Sequence, residues 1–232
     1  MKSVTIKNVK IYPFKNIDEL IAYSDKQKKL FLSLNAEIIV KAEGEIAEII
    51  NDNIGYADGF GPIMVLKARG INNIERIPGC ELWLELVKRY HSNRSFYLVG
   101  ATAEVIEATV SKLKRIYPDI NIVGYRNGFI RTVEERTAVI DDVVKKAPDF
   151  VFVAMGFPIQ EQLMNDMYHK HQAVYLNLGG SFDVFTGKTS RAPKFMQKMG
   201  LEWFYRFITH PSRYKRQIVY IQFLWAFLTN KL

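Results

Sequence analysis

The chain has 232 residues, of which 48% are hydrophobic and 24% are charged, and its formal net charge is +8. This apolar fraction excludes an intrinsically disordered protein, and the length fits one domain, with or without an appendage. The single cysteine, Cys80, excludes an intrachain disulfide and a cysteine-based structural zinc site.

The positive charge is concentrated at one end of the chain. Residues 188–232 contain nine Lys or Arg and one acid, whereas residues 1–187 are neutral overall. The same C-terminal segment holds 10 of the 30 aromatic residues. We therefore expect a neutral body, residues 1–187, followed by a basic and aromatic helical appendage, residues 188–232.

Neither secretion nor a membrane span is indicated by the apolar pattern. The N-terminus alternates Lys with Val and Ile and lacks the apolar run of a signal peptide. The apolar stretch at 218–228 is about half of the ~20 residues that a spanning helix needs. The sequence thus predicts a cytoplasmic protein.

Strand-like and helix-like segments alternate along the body. Short continuous apolar runs, typical of strands buried on both faces, lie at 29–34, 95–99, 120–123, 150–155 and 173–178. Amphipathic stretches typical of helices lie at 81–90, 104–116 and 133–146. This alternation predicts an α/β fold in which helices cover a mostly parallel sheet.

Three of the predicted strands run directly into glycine, at Gly100, at Gly156 and at Gly179-Gly180. In open α/β sheets, ligands bind beyond the carboxyl ends of the strands, where backbone and helix N-termini can approach a phosphate. A nucleotide diphosphate would suit this position. The alternative, that glycine only makes tight strand-to-helix turns, stays open from the sequence. Pro158 is suited to begin a helix just before Gln160.

Two familiar nucleotide motifs and one metal motif are absent. No G-x-G-x-x-G follows a predicted strand, and Phe182 stands where a P-loop ending at Gly187-Lys188-Thr189 would need its first glycine. No Asp-x-Asp pair occurs either, which disfavours a divalent ion held by acidic side chains. We therefore expect no metal and no cofactor.

Polar residues follow the apolar runs at several positions. Asp58, in a glycine-rich turn, is a candidate general base or only a turn and cap residue. Ser33 and Asn35 end the first buried strand, and Asn35 is equally suited to cap the next helix. Arg76 is a candidate phosphate ligand or a surface partner of nearby glutamates.

The appendage combines basic residues with aromatic ones. Ile218, Ile221, Trp225 and Leu228 recur at helical spacing after the basic segment that contains Arg213 and Arg216. This pattern favours a helix lying on an anionic membrane surface. A contact with the body or with another subunit is the second interpretation, and nucleic-acid binding, for which no motif is present, is the weakest.

An ordered series of motifs resembles a known family. The motifs run from about Ser33 to Arg216 and are Tyr56-Ala57-Asp58-Gly59, Arg76-Ile77-Pro78-Gly79, Gly156-Phe157-Pro158-Ile159-Gln160-Glu161, Gly179-Gly180-Ser181-Phe182-Asp183-Val184-Phe185-Thr186-Gly187, Arg191-Ala192-Pro193, Gly200-Leu201-Glu202-Trp203-Phe204-Tyr205-Arg206, and Pro211 with Arg213 and Arg216. The chain is similar in these motifs to the WecG/TagA/CpsF glycosyltransferases, and most similar in appearance to members that transfer N-acetylmannosaminuronic acid. The resemblance implies a Rossmann-like domain and a membrane-facing appendage.

The resemblance also implies a reaction and roles for individual residues. The expected reaction is inverting transfer of a sugar, N-acetylmannosamine or its uronic acid, from a UDP-sugar to undecaprenyl-diphosphate-linked N-acetylglucosamine at the cytoplasmic face of the inner membrane. Asp58 matches the family's general base. The other matches are substrate-binding Ser33, Asn35, Arg76 and Gln160, diphosphate-binding Arg206, Arg213 and Arg216, and nucleotide-binding Gly100, Gly156, Gly179, Gly180 and Asp183.

Other functions remain compatible with the sequence. Within the family the donor could be a neutral hexose. Outside it, the chain could be a non-catalytic nucleotide-sugar- or lipid-binding subunit of a polysaccharide assembly complex. The sequence is also compatible with a homo-oligomer and does not determine the oligomeric state.

Overall fold

A computed structural model describes residues 1–198, 202, 205, 208 and 214–232, with the side chains of residues 198 and 214–217 left out of the description. The strands in this part of the chain are β1 (Val4–Ile6), β2 (Val9–Ile11), β3 (Leu30–Leu34), β4 (Ile54–Ala57), β5 (Ser95–Gly100), β6 (Asn121–Arg126), β7 (Phe150–Ala154) and β8 (Val174–Asn177). The helices are α1 (Ile17–Ser24), α2 (Ala36–Lys41), α3 (Gly44–Asn51), α4 (Phe60–Ala68), α5 (Gly79–Tyr90), α6 (Ala103–Ile116), α7 (Val133–Lys146), α8 (Ile159–Lys170), α9 (Ser181–Thr186), α10 (Lys194–Lys198) and α11 (Tyr214–Leu228).

Six strands form one parallel sheet in the order β4-β3-β8-β7-β5-β6. From β5 the chain continues to β6 on one side, whereas from β7 it continues to β8 on the other. The boundary between β5 and β7 is therefore a topological switch point, where the loops leave in opposite directions and open a crevice. The α/β class predicted from the sequence is confirmed, with the Rossmann-like layering of helices on both faces.

Alternating side chains divide the core into two layers. Leu30, Leu32 and Leu34 of β3 face a cluster that includes residues of α2, α3, α4, α7 and α8. Phe31 of the same strand faces a second cluster, formed with α1, α5, α6 and α9. The central strands are buried on both sides, which is why they appear in the sequence as continuous apolar runs.

Within the six-stranded parallel sheet, β4 is the strand that the sequence did not predict; strands β1 and β2 of the separate hairpin were not predicted either. The four residues of β4, Ile54–Ala57, are all buried although one of them is glycine. The hairpin formed by β1 and β2 lies beside it, and the Tyr12 amide donates to the Gly55 carbonyl over 2.7 Å. A glycine is required there because a Cβ at Gly55 would lie 2.5 Å from the Lys10 carbonyl oxygen.

Helix α11 of the appendage packs on the body through one face. Val219 and Phe223, four residues apart, are buried, and Phe223 lies against Gly61 of α4, where a Cβ would come within 2.9 Å of the ring. The apolar residues singled out from the sequence, Ile218, Ile221, Trp225 and Leu228, lie on the exposed side. Among the described residues, no helix is long and apolar enough to cross a bilayer.

Candidate active site

The residues predicted to be functional follow the strands at the carboxyl edge of the sheet. Ser33 is the second-to-last residue of β3, and Gly100 is the last residue of β5. Asp58 follows β4, Gly156 follows β7, and Gly179 follows β8. Parallel strands bring all of these positions to one edge. This is the edge at which open α/β sheets bind ligands.

Asp58 lies between β4 and α4 and is half-buried. Its backbone amide donates to the Leu34 carbonyl over 3.0 Å, which anchors the turn to the end of β3. Burial raises the pKa of Tyr56 well above its ordinary value, and the Asp58 carboxylate raises it further. Burial, followed by Asp58, likewise raises the pKa of Cys80 to about 12. The Cys80 thiol therefore stays protonated near neutral pH and is not a nucleophile.

Ser33 stands where two parts of the site meet. A Cβ at Gly79 would lie 3.4 Å from the Tyr56 hydroxyl and 3.6 Å from Ser33 Oγ, so the first residue of α5 lies within van der Waals reach of both. The Tyr56 hydroxyl is buried beside the Ser33 side chain, whose hydrogen-bonding effect opposes the larger effect of burial on the Tyr56 pKa. On its other side, Ser33 contacts Asn177, whose side-chain oxygen accepts from the Ser33 amide over 2.6 Å.

Asn35 caps helix α2. Its side-chain oxygen accepts from the Ile38 amide over 3.0 Å, as an N-cap residue does. A Cβ added at Gly59 would lie 3.2 Å from the Asn35 Cβ, so Asn35 also adjoins the turn that carries Asp58. The cap accounts for the side-chain oxygen, and a role toward substrate stays a prediction.

Arg76 takes part in a cluster of two arginines and two glutamates. Its Nη1 lies 3.3 Å from Glu202 Oε2 of the appendage. Arg191 Nη1 lies 2.7 Å from Glu81 Oε1, and Arg191 Nε lies 3.8 Å from Glu202 Oε1. At 3.8 Å the Nε contact is too long for a hydrogen bond, so Nε and Nη2 of Arg191 are both buried without a hydrogen-bond partner in the described part of the chain. The cluster joins the Arg76 turn, the start of α5 and the appendage beside Cys80.

Gln160 is buried in the first turn of α8, and Pro158 is the N-cap, as the sequence predicted for a helix starting here. The Gln160 Oε1 atom accepts from the backbone amides of Gly156 over 3.1 Å and of Gly179 over 3.0 Å. Its Nε2 donates to Glu161 Oε1 over 3.0 Å. The side chain predicted to meet substrate is thus directed toward the two glycine loops.

The predicted nucleotide-binding residues fall into two groups. Gly100 has φ +137°, and a Cβ there would lie 2.2 Å from the Ala154 carbonyl oxygen, so backbone packing alone requires this glycine. A Cβ at Gly156, Gly179 or Gly180 would meet no described atom within 4 Å. Asp183 lies in the first turn of α9, half-buried. The open surface next to β7 and β8 is therefore formed by the second group.

The appendage arginines are only partly covered by the structure. Arg206 and Arg213 lie outside the described residues, and Arg216 lies in α11 with its side chain outside the description. Across the described ranges, no group of three or more His, Cys, Asp or Glu side chains could hold a metal ion.

Four polar residues of this edge received no role from the sequence, namely Tyr56, Glu161, Asn177 and Arg191. Three of them lie inside the quoted motifs, and Asn177 is the polar last residue of an apolar strand. A polar residue at the end of a buried strand is the signal that could have identified Asn177, as it identified Ser33.

Comparisons with known proteins identify the family of this chain. The family model described as "Glycosyl transferase WecG/TagA/CpsF family" matches residues 4–232. The chain is 35% identical over 229 residues to an N-acetylglucosaminyldiphosphoundecaprenol N-acetyl-beta-D-mannosaminyltransferase of Bacillus subtilis (strain 168), with 94% of this chain and 88% of the relative covered. A family match over nearly the whole chain, together with 35% identity to this relative, shows that the chain belongs to the WecG/TagA/CpsF family of glycosyltransferases.

Proposed function

We propose that the enzyme transfers N-acetylmannosamine from a UDP-sugar to undecaprenyl-diphosphate-linked N-acetylglucosamine, in the synthesis of a bacterial surface polysaccharide. The relative's printed activity supports this acceptor and favours N-acetylmannosamine over its uronic acid. The observation that carries the proposal is the position of Asp58 at the carboxyl edge, where its amide is bonded to the end of β3 and its carboxylate acts on the Cys80 thiol.

In the proposed reaction, Asp58 accepts the proton of an acceptor hydroxyl. The hydroxyl oxygen attacks the anomeric carbon of the donor from the face opposite to UDP. The bond from that carbon to the UDP oxygen breaks, UDP leaves with the electron pair, and the configuration inverts. A positioned base of this kind commonly contributes roughly 100- to 10,000-fold to the rate.

Arginine is the proposed partner of the departing diphosphate. The Arg76 guanidinium already faces a carboxylate, Glu202, and a phosphate is the other anion that its planar fork fits. In the proposal, Arg206, Arg213 and Arg216 of the appendage complete this charge. Transfer is expected to proceed without a divalent cation, and EDTA should leave the rate unchanged.

A panel of donors tests the proposal directly. Purified enzyme is mixed with a short polyprenyl-diphosphate-linked N-acetylglucosamine and with UDP-N-acetylmannosamine, its uronic acid or a neutral UDP-hexose. Mass analysis of the lipid should show one added N-acetylhexosamine with the first donor only. Transfer of a neutral hexose instead would support the second candidate within the family, and no transfer from any donor would contradict both.

We further propose that α11 rests on an anionic membrane surface. Its exposed side carries Ile221, Trp225 and Leu228, which are 67%, 57% and 71% exposed, directly after the basic segment. A bilayer interface suits such a helix because its apolar side chains enter the acyl boundary while basic residues meet headgroups.

Vesicle flotation separates this surface from ordinary exposed apolar residues. Wild-type protein should float with anionic vesicles, and the triple variant I221S/W225S/L228S should remain in the dense fraction. Val133→Ser is the matched control, because Val133 is 75% exposed on α7 and outside the appendage. Flotation of the triple variant to the wild-type extent would contradict the proposal. Sedimentation of the same samples measures the self-association that the sequence leaves open.

A further inference from the structure

Side chains continue the sheet where its backbone ladder ends. The β3–β8 pairing runs only to Phe31 and Leu176, while β3 stays paired with β4 as far as Leu34. Beyond that point the Asn177 side chain bridges the gap, because its Oδ1 accepts from the Ser33 amide at 2.6 Å. Strands β3 and β8 are thereby held apart and in register at the carboxyl edge.

A second side chain bridges the next pair of strands. The β7–β8 pairing ends at Val153 and Asn177. Past this point, Gln160 Oε1 accepts from Gly156 after β7 and from Gly179 after β8. The two glycine loops next to the open surface are therefore connected through one amide oxygen.

One carboxylate oxygen orients both amides. Glu161 Oε1 accepts from Gln160 Nε2 at 3.0 Å and from Asn177 Nδ2 at 2.8 Å. If either amide flipped, its oxygen would face Glu161 Oε1 and its NH₂ would face backbone N–H groups. Both flipped states bring donor against donor and acceptor against acceptor in a buried place, so Glu161 selects the orientation that bridges the strands.

Stability alone does not explain a carboxylate at this position. Glu161 is 1% exposed, and its Oε2 has no hydrogen-bond partner within the described residues. Burial raises the pKa of Glu161, against the opposing effect of the Asn177 and Gln160 amides. Well-packed apolar residues commonly stabilise a protein as much as a buried charge does.

We infer that Glu161 is a positioning residue that, through Gln160 and Asn177, holds the loops after β3, β7 and β8 in the geometry that receives the nucleoside diphosphate of the donor. The inference rests on the proposed function, since it assigns the donor to this edge. What matters in it is the place of one acceptor oxygen rather than the charge of the side chain.

Substitutions can separate the place of the oxygen from the charge. Glu161→Gln keeps an acceptor oxygen at the same reach and removes the charge. Glu161→Asp keeps the charge and withdraws the oxygen by about 1.5 Å, the length of one carbon–carbon bond. Glu161→Met removes the acceptor altogether, so that if one of the last two variants does not fold the other still decides.

Asn53→Leu is the matched control. Asn53 is also a buried amide, and its Oδ1 accepts from the Leu30 amide over 3.2 Å, but at the amino end of β3. Its loss should lower the unfolding temperature without changing the kinetics of the folded enzyme.

Two measurements are made on each variant: kcat/KM for the UDP-sugar per folded molecule, and hydrogen exchange at the Gly156 and Gly179 amides. We expect E161D and E161M to lower kcat/KM on the order of 100-fold and to speed exchange at both glycines, as loss of site geometry does. E161Q should stay within about threefold of wild type, the range expected when an acceptor is kept.

Three results would overturn the inference: unchanged exchange in both E161D and E161M, an E161Q variant as impaired as E161M, or an N53L variant that loses activity to the same degree. If the wild-type enzyme transfers no sugar at all, the proposed function fails, and the exchange measurements still decide the positioning role of Glu161.

Discussion

At both edges of the parallel sheet, side chains join neighbouring strands through hydrogen bonds. The two edges differ in whether buried polar atoms remain without a hydrogen-bond partner. At the amino edge, the Asn53 side chain accepts from Leu30 and donates to the Ile49 carbonyl over 2.8 Å. The Asp149 carboxylate accepts from the Ser95 amide and hydroxyl at 2.9 and 2.8 Å, and from Arg94 at 3.1 Å. Side chains here join strands, and their hydrogen-bonding capacity is used within the protein.

At the carboxyl edge, buried groups also join strands, but some atoms remain without a partner. Within the described ranges the atoms that lack a hydrogen-bond partner include Glu161 Oε2 and two nitrogens of Arg191. Buried polar atoms are nearly always satisfied in folded proteins, so this concentration needs an explanation. This difference between the two edges is what we expect if the amino edge serves stability and the carboxyl edge serves the proposed binding and catalysis.

The largest expected effect comes from replacing a carboxylate by an amide, once at the carboxyl edge and once at the amino edge. Asp58→Asn should lower sugar transfer roughly 100- to 10,000-fold, because the acceptor hydroxyl loses its base. Asp149→Asn, at the amino edge, should leave kcat/KM unchanged. Both are measured as labelled sugar moved to the lipid acceptor. An Asp58→Asn enzyme with wild-type turnover would remove Asp58 from the mechanism.

Arginines on the two edges provide the next comparison. Arg76→Lys should lower kcat/KM about 100-fold, because an ammonium group keeps the charge and loses the planar fork that matches phosphate. Arg94→Lys is the control, since Arg94 is a half-exposed partner of Asp149. Steady-state kinetics with varied UDP-sugar measures both. Equal kinetics for the two variants would contradict a special role for Arg76.

The Cys80 thiol reports the electrostatics of the carboxyl edge. Since its pKa is raised to about 12, alkylation by iodoacetamide should be slow at pH 8 and should rise about tenfold per pH unit up to pH 10. Asp58→Asn should speed the reaction several-fold by removing a neighbouring negative charge, while burial still slows it. The rate is followed by mass spectrometry of the intact protein. An alkylation rate that is the same in wild type and in Asp58→Asn would contradict the proximity of Asp58 to Cys80.

The smallest effect is a pH-dependent stability term at the amino edge. Burial alone would raise the pKa of Asp149, but the Ser95 amide and hydroxyl and Arg94 outweigh it and lower that pKa. A lowered folded pKa stabilises above the unfolded value of about 3.9 and loses that stabilisation as the pH falls through the folded pKa.

Asp149→Asn should therefore reduce the free energy of unfolding at pH 7 by less than about 1 kcal/mol, since the carboxylate is partly solvated. Urea unfolding at a series of pH values should show the difference from wild type shrinking toward zero as the pH falls through the folded pKa of Asp149, below which both states are protonated. A difference in the free energy of unfolding that stays constant with pH would contradict its origin in the lowered pKa of Asp149.

Much of the fold is visible in the sequence because its strands are covered on both faces. Segments 95–99 and 150–155 are continuous apolar runs for that reason, and both were predicted within one residue at each end. Strand β4 was missed because Ile54–Ala57 is short and includes glycine. Its pairing depends on Phe31–Leu34 and on the hairpin beside it, which are contacts distant in sequence.

The site was predictable to the extent that each residue could be judged on its own strand end. Ser33 and Asp58 are polar residues after apolar ones, and the structure brings them to one edge. The orientation of Gln160 was not predictable, because its partners belong to two different loops. The Ser33–Asn177 bridge joins residues 144 positions apart, a distance over which no local pattern extends.

By itself the sequence determined the α/β class, the candidate residues at the strand ends and the apolar stripe of the appendage, because burial and periodicity are recorded locally. The tertiary structure decided which buried atoms of the described residues lack a hydrogen-bond partner at the carboxyl edge and which face of α11 packs on Gly61. Hydrogen-bond satisfaction and packing depend on pairs of residues far apart in the chain, so they exist only once the sheet has formed.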